Sequence, residues 1–347
     1  MVMPLVSIVL PVRNGAATLT RALASIHAQT WRDWELLAVD DGSTDGTREL
    51  LVAAARKDLR VRLVDAPAHG LVPALNEGIA AARGELIARM DADDESHPER
   101  LSEQVAALLA DPSLGLVGCL VGFGGDRRAS TGYALHVDWL NSLVTPGQIA
   151  LNRFVESPHA HPSVMFRRAL VAKHGGYREG DFPEDYELWL RWLDAGVRMA
   201  KVPRALLTWH DSPARLSRTD ARYSPEAFYR IKAEYVAKEV ARVDLSARKR
   251  LGVTPPEIWV WGAGRPTRKR AVRLERHGVR IAGYIDIDPK KTGRRVGGVP
   301  VISPADLPAP GRAFVLGYVA TRGARDLIRA ELTRQSYMEG RDFLMCA

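Results

Sequence analysis

The sequence contains few cysteines and no long apolar segment. Only Cys119 and Cys346 occur among its 347 residues, which excludes a disulfide scaffold or a cysteine zinc cluster and fits a reducing cytoplasm. No apolar run approaches the length of about 18 residues that a membrane-spanning helix needs. Proline and arginine interrupt the first residues, MVMPLVSIVLPVRN, so these predict a strand and not a signal peptide. We therefore expect a cytoplasmic protein without a transmembrane segment, for which peripheral contact with a membrane stays open.

Composition and charge indicate a globular chain of two domains. Hydrophobic residues make up 46% and charged residues 26%, which excludes a disordered chain. Residues 1–245 carry 29 Lys and Arg against 32 Asp and Glu, whereas residues 246–347 carry 20 against 9. The net charges of −3 and +11 favour two domains with different partners, and we expect no nucleic acid among them. Arginine-rich codon usage accounts for the excess equally well, since 40 of the 49 basic residues are arginine.

Strand-like and helical segments alternate over the first hundred residues. Strands are predicted at 5–10, where Pro11 ends the run, and at 35–39, 61–64 and 85–90, with a helix over 72–83. The alternation predicts an α/β fold with a mainly parallel sheet flanked by helices. Ligands of such sheets bind beyond the carboxyl ends of the strands. The polar residues predicted at those ends are Asn14, Asp40, Asp41, Asp91 and Asp93.

A second strand–helix pattern begins after a double proline. Residues 121–160 have no clear pattern, while a helix is predicted over 184–194 and a long one over about 225–242. Pro255-Pro256 then marks a boundary, and a strand at 257–261 starts the new pattern. The predicted domains are residues 1–245 and 250–347.

Two acidic segments lie at predicted strand ends. In Asp91-Ala-Asp93-Asp94, carboxylates two residues apart suit Mg²⁺ or Mn²⁺, which take hard oxygen ligands together with substrate phosphates. A polar turn before the helix at Pro98 explains the same residues. In Asp40-Asp41-Gly-Ser-Thr-Asp45, a carboxylate can accept a base N–H, or Ser43, Thr44 or Asp45 can cap a helix.

Together these segments resemble family 2 glycosyltransferases, which are inverting, metal-dependent enzymes of the GT-A fold. The resemblance spans roughly residues 1–220 and rests on VSIVLPVRN, WELLAVDDGSTDGT, NEGIAAARGELIARMDADD, HPSVMFRR and PEDYELWLR. It implies that Asp91 lies near the ribose and the metal, and that Asp93 is the principal ligand of Mn²⁺ or Mg²⁺. It also implies a nucleoside diphosphate sugar as donor, bound by Pro11 and Asp41 at the base and by the neighbouring Val12 and Asn14.

The resemblance also assigns the acceptor side of the reaction. Inversion needs a base that removes the proton of the acceptor hydroxyl, and the family's E-D motif implies Asp185 in that role, with Glu184 as its neighbour. Both acids also suit the positive end of a helix dipole, a purely stabilising role. His210 is either a metal ligand or an ordinary histidine, and Arg215 and Arg218 suit phosphate.

The C-terminal residues resemble a small Rossmann-like domain. Trp261-Gly-Ala-Gly264 follows a predicted strand, and Asp286 ends the next strand, where such folds bind a ribose hydroxyl. The third glycine of the fingerprint is missing, and Arg265 and other basic residues stand at the start of the helix. A nucleotide-binding role, through Gly262, Gly264, Arg265 and Asp286, and a purely structural role both stay open.

The function predicted from these residues is transfer of a sugar, with a UDP-sugar favoured, to the hydroxyl of a saccharide, a lipid-linked molecule or another acceptor. Such transfer belongs to cell-surface polysaccharide or glycoconjugate synthesis. Two alternatives are a nucleotidyltransferase of related fold and a sugar-nucleotide binding protein without turnover. The loop Pro11-Val-Arg-Asn-Gly15 differs from the glycine-rich basic loop of the former, and the intact Asp91, Asp93 and Asp185 argue against the latter.

Overall fold

The computed structural model describes residues 5–66, 69–211, 215–251 and 255–347. It divides the chain into two compact units, the first formed by Met1–Ala150 and Pro158–Tyr223 and the second by Leu151–Ser157 and Ser224–Ala347. Both are α/β units. Independent folding of residues 1–245 and 250–347 stays a prediction.

The described part of the first unit contains one eight-stranded, mostly parallel sheet. Its strands are β1 (Val6–Val12), β2 (Trp34–Asp40), β3 (Val61–Asp65), β4 (Leu86–Arg89), β5 (Glu95–Ser96), β6 (Leu114–Phe123), β7 (Met165–Arg167) and β8 (Arg198–Trp209). They lie in the order β3-β2-β1-β4-β7-β6-β8-β5, in which β5 and β7 run against the other six. The predicted fold class, a mainly parallel sheet flanked by helices, is confirmed.

Helices cover both faces of this sheet, so its central strands are buried on both sides. The spacing of Leu19, Leu23 and Ile26 gives α1 its buried face. The predicted helix at 184–194 is confirmed as α8, and the unassigned residues 121–160 contain two helices. The helices in this part of the chain are α1 (Ala16–His27), α2 (Thr47–Lys57), α3 (Leu71–Ala81), α4 (Arg100–Ala110), α5 (Thr131–Ser142), α6 (Pro146–Asn152), α7 (Ala169–His174), α8 (Glu184–Asp194) and α9 (Leu216–Thr219).

The first strand continues past the residue at which it was predicted to end. Pro11 lies inside β1, opposite Val39 of β2. On its other side, β1 pairs with β4 only as far as Val9. Because proline has no N–H to donate, it is tolerated where one side of a strand has lost its partner.

The second unit holds a separate parallel sheet with one short antiparallel edge strand. Its elements are α10 (Pro225–Leu251), β9 (Glu257–Trp261), α11 (Arg265–Arg276), β10 (Ile281–Ile285), β11 (Arg295–Val296), β12 (Val299–Ile302), β13 (Ala313–Gly317), α12 (Ala324–Arg334) and β14 (Phe343–Met345). The order is β11-β12-β10-β9-β13-β14, so β9 is central and the chain leaves it in both directions. Within the residues described, no helix is both long and apolar enough to span a bilayer.

Candidate active site

The loops after β1 and β2 are tied to each other at the carboxyl edge of the sheet. The Asn14 side-chain oxygen accepts the N–H of Thr44 at 2.8 Å, and the Asn14 N–H donates to the Ser43 hydroxyl at 3.0 Å. Asn14 has a positive φ of 53°, a conformation that asparagine tolerates better than most residues. The structure thus places Asn14, with Pro11 and Val12, at the predicted edge, and their donor-binding role stays a prediction.

Asp41 lies buried between three loops at the same edge. Its backbone N–H donates to the Val12 carbonyl at 2.9 Å, and its Oδ1 accepts the N–H of Gly70 at 3.0 Å. The Arg13 guanidinium lies 4.0 Å from Oδ2. A carboxylate fixed in this way can accept a further N–H from a ligand, because each oxygen has two lone pairs.

Asp45 carries out the capping role that the sequence left open among three residues. Its Oδ2 accepts the N–H of Ala16, the first residue of α1, at 3.1 Å. Its Oδ1 accepts the N–H of Thr47, the first residue of α2, at 3.0 Å. One carboxylate therefore caps two helices. These hydrogen bonds, of which the one with the Thr47 side chain contributes most, hold the pKa of Asp45 below its usual range.

Three carboxylates meet beyond β4. Asp91, Asp93 and Asp94 each offer an oxygen within 4.8 Å of the others. Asp94 is fully buried, and its Oδ1 accepts the His210 N–H at 2.8 Å, while its Oδ2 has no partner within the described residues. Burial first, and then the neighbouring carboxylates, raise the pKa of both Asp93 and Asp94. An unpartnered buried oxygen among hard anionic donors fits a divalent cation such as Mg²⁺ or Mn²⁺.

His210 adjoins this cluster through its backbone rather than its ring. Its Nε2 lies 2.9 Å from Oε1 of Glu95, and its carbonyl accepts a hydrogen bond of 2.9 Å from Arg215. The predicted role of His210 as a metal ligand therefore stays a prediction. The partly buried Arg215 also donates to the Tyr133 hydroxyl at 2.9 Å and lies over the Trp209 ring. Its charge counteracts the rise in the pKa values of Asp93 and Asp94.

The candidate base lies at the start of α8. Asp185 is partly exposed, and its Oδ1 accepts the N–H of Tyr186 at 2.7 Å. Burial and then the negative charge of Glu184 raise the pKa of Asp185 to about 8. Glu184 is buried, accepts a hydrogen bond of 2.7 Å from the Tyr223 hydroxyl and lies 3.7 Å from Nδ1 of His161. These contacts hold Glu184 in place beside Asp185, whose side chain stays partly exposed.

Arg89 links the two acidic groups, and sequence reasoning missed it. Its buried guanidinium forms an ion pair with Asp91, and its positive charge also opposes the rise in the pKa of Asp185. Arg89 also affects His161. Burial, and then the positive charge of Arg89, hold the pKa of His161 well below its usual value. The available signal was an arginine inside the apolar run Glu85-Leu-Ile-Ala-Arg-Met90, since buried arginines are rare unless paired.

The predicted residues of the C-terminal site come together in the second unit. Gly262 has a φ of +109°, Gly264 precedes α11, and the exposed Arg265 is its first residue. The Asp286 carboxylate accepts the N–H of Ala263 at 2.8 Å. Although burial opposes it, hydrogen bonds from Asp288, Ala263 and Lys291 hold the pKa of Asp286 below its usual range. The nucleotide-binding role of these residues stays a prediction.

Comparisons with known proteins identify the family to which the first unit is similar. A sequence profile described as Glycosyl transferase family 2 matches residues 7–175. The Bacillus subtilis protein named "Putative glycosyltransferase EpsE" is 32% identical over 227 residues, which cover 64% of this chain and 78% of that protein. The Escherichia coli O-antigen biosynthesis glycosyltransferase WbnJ is 27% identical over 243 residues, with 69% and 89% covered.

A solved structure shows the same fold. The S. aureus TarS 1–349 structure in complex with UDP-GlcNAc is similar with a TM-score of 0.53 and 21% sequence identity. The match covers 68% of this chain and 66% of that one. With the GT-A fold and a relative matched over more than three quarters of its length, this chain belongs to glycosyltransferase family 2 and is a glycosyltransferase.

Proposed function

We propose that the first unit transfers a sugar from a nucleoside diphosphate sugar to an acceptor hydroxyl with inversion at the anomeric carbon. The observation that supports this most strongly is the pairing of two acidic groups across Arg89. One is a three-carboxylate cluster that suits a divalent cation, and the other is Asp185, a partly exposed carboxylate with a raised pKa.

In this proposal the donor lies along the carboxyl edge of β1, β2 and β4. Asp41 accepts an N–H of the base, for which we favour uracil, while Pro11, Val12 and Asn14 border the nucleoside. Asp93, Asp91 and Asp94 would hold Mn²⁺ or Mg²⁺, with His210 as a further candidate. When bound, such an ion neutralises the charge that develops on the departing diphosphate.

The proposed chemistry is a single displacement. The acceptor hydroxyl gives its proton to the Asp185 carboxylate as its oxygen bonds to the anomeric carbon. The bond between that carbon and the diphosphate oxygen breaks, and its electron pair leaves with the nucleoside diphosphate. A raised pKa makes Asp185 a stronger base than an ordinary aspartate, which suits proton removal near neutral pH.

We propose an acceptor in the synthesis of a cell-surface polysaccharide or glycoconjugate, either a saccharide or a lipid-linked molecule. WbnJ, a relative matched over most of its length, is named for O-antigen biosynthesis. The scarcity of cysteine supports a cytoplasmic reaction, in which a lipid-linked acceptor would be met at the membrane surface.

A thermal-shift screen of UDP, GDP, ADP and TDP with and without Mn²⁺, followed by a transfer assay, tests the proposal. We expect one diphosphate to raise the Tm only when metal is present, since selective ligands stabilise the native state. Asp93→Asn should lose this stabilisation and the turnover, whereas Glu103→Gln, a surface acid paired with Arg204, should keep both.

The alternatives give different results in the same assays. Pyrophosphate-dependent nucleotide exchange would identify a nucleotidyltransferase. Metal-dependent binding without donor hydrolysis or transfer, across a panel of acceptors, would identify a binding protein. Full activity of Asp93→Asn with Mn²⁺ would contradict the proposed ligand set.

A further inference from the structure

The second unit contains a cleft that the transferase reaction does not use. It has a volume of about 950 Å³ and lies beyond the carboxyl ends of β9, β10, β12 and β13. Its walls include Gly262, Asp286, Ser303 and Tyr318, which directly follow those four strands. The chain leaves the central strand β9 toward β10 on one side and β13 on the other, which is where open parallel sheets bind ligands. The family match ends at residue 175, so this cleft lies outside it.

Two helices begin at this cleft. α11 starts directly after Gly264, and α12 starts at Ala324, and both of these residues line the cleft. The two helices have 12 and 11 residues, so each presents the positive end of a full helix dipole. Convergent helix N-termini favour a phosphate group.

Asp286 supplies a fixed acceptor directly beside the loop 262–264. Its Oδ1 accepts the N–H of Asp288 at 3.0 Å, and its Oδ2 is held by Ala263 and by Lys291 at 3.1 Å. A carboxylate at the end of the second strand of such a sheet suits ribose hydroxyls and repels a 2′-phosphate.

Thr267 explains the departure from the three-glycine fingerprint. It occupies the position of the third glycine, is buried, and its hydroxyl donates to the Tyr318 carbonyl at 3.2 Å. A Cβ at Gly262 would lie 2.9 Å from both Thr267 Oγ1 and Val319 Cγ2. The hydrogen bond from Thr267 to Tyr318 therefore holds the loop 262–264 close to β13, and α11 still begins at the cleft.

Two apolar side chains on the wall of the cleft are left exposed. Ile287 is 78% and Leu327 is 73% exposed, although both line the cleft. A flat base laid against Ile287 would cover apolar surface, which is favourable. We propose that this cleft binds a ribonucleotide without a metal ion, with phosphate at the starts of α11 and α12, ribose at Asp286 and base at Ile287.

The shared chemistry is a ribose with free hydroxyls and a phosphate. A sugar nucleotide and an adenine coenzyme both carry it, so the test includes both sources. The full chain is titrated calorimetrically with AMP, NAD, UMP and UDP-N-acetylglucosamine. All titrations contain EDTA, because removing divalent metal ions suppresses metal-dependent binding at the first site. Hydrogen–deuterium exchange then locates the protected segments.

We expect at least one of these four probes to bind and to protect the loop 262–267 and residues 286–291. The adenine probes binding best would identify a coenzyme site, and the uridine probes binding best a sugar-nucleotide site. A 2′-deoxy or 2′-phosphate analogue of the best probe should bind at least about tenfold more weakly.

The matched variants are Ile287→Asp and Met338→Asp. Both side chains are exposed apolar residues of the second unit, and only Ile287 lines the cleft. Ile287→Asp should weaken binding at least about tenfold, because a charge would face the base, while Met338→Asp should not change it. No heat and no protection with all four probes would overturn the proposal, as would equal binding by Ile287→Asp and the unaltered chain.

Discussion

At the scale of single residues, the site contains carboxylates whose charged form is destabilised by burial and by neighbouring negative charges. Asp185 has its pKa raised to about 8, mainly by burial and then by Glu184. A group whose folded pKa exceeds its unfolded value lowers stability as the pH rises between the two values, because only the unfolded state ionises freely. The side chain of Asp185 therefore lowers the stability of the folded protein progressively as the pH rises from about 4, and most fully above about pH 8.

Replacing this residue separates activity from stability. Asp185→Asn should lower kcat by a factor on the order of 10²–10⁴, the usual contribution of a positioned base. The same variant should have a higher Tm than the unaltered protein at pH 8, and a smaller gain at pH 5. Steady-state kinetics and thermal unfolding at the two pH values check both parts. A loss of nucleoside diphosphate affinity with an unchanged rate would assign Asp185 to the donor site instead.

The neighbouring acid should tune the pH dependence of the base. Activity should rise as Asp185 loses its proton, so the acidic limb of the kcat profile should follow its raised pKa. Glu184→Gln removes the negative charge that raises this pKa, so the limb should move to lower pH. Glu187→Gln is the comparison, since that acid lies on the same helix and pairs with Arg191. An acidic limb that stays in place in Glu184→Gln would mean that the two carboxylates do not interact during turnover.

The sequence was informative about these residues only where their roles depend on local order. Asp91, Asp93 and Asp185 stand at a strand end or a helix start, so their positions could be predicted from the alternation of strands and helices. The wider role of Arg89 could not be assigned, because its charge acts on Asp185 and His161, which lie far along the chain. Asp94 is adjacent to Asp93 in sequence, yet the donor that fixes its carboxylate is the His210 N–H, 116 residues away.

At the scale of elements, α4 supports the site through a buried polar face. Gln104 is fully buried and donates to the carbonyls of Val117 and Ser163 at 3.0 and 2.8 Å. Arg100, one turn earlier, donates to the carbonyl of Arg89 at 2.7 Å and to Gln104 at 3.1 Å. These bonds hold the end of β4, from which the acidic cluster begins. Helical spacing predicts such an element, but not that its polar side chains turn inward to carbonyls of distant strands.

Loss of this polar face should cost stability. Gln104→Leu removes the side-chain donor to two buried carbonyls and the acceptor of the Arg100 Nε–H, so we expect a loss of about 1–3 kcal/mol in the free energy of unfolding. Leu109→Gln on the same helix changes an exposed side chain and should stay within about 0.5 kcal/mol. Denaturant unfolding of both variants and the unaltered protein measures these free energies, and equal m-values make the three values comparable. Equal stability of Gln104→Leu and the unaltered protein would show that the face is dispensable.

At the scale of the whole molecule, the long helix α10 belongs to the second compact unit. Its buried Lys232 donates to the carbonyls of Phe154, Val155 and Cys346 at 2.9, 3.1 and 3.0 Å. The segment 151–157 therefore groups with residues far along the chain. Sequence patterns located the new strand at 257–261, but a boundary that depends on contacts between distant residues has no local signal.

The two units should respond to ligands separately. If they unfold independently, calorimetry of the full chain should show two transitions, and Mn²⁺ with the preferred nucleoside diphosphate should raise only one of them. At a ligand concentration of 100 Kd the stabilisation is about 2.7 kcal/mol, which displaces a transition by a measurable amount. Asp93→Asn identifies the transition of the first unit, because that variant should lose the shift while the other transition stays in place. A single transition whose Tm rises with ligand in the unaltered chain, and does not rise in Asp93→Asn, would contradict independent unfolding. Coupled units unfold together, so they share one stabilisation free energy.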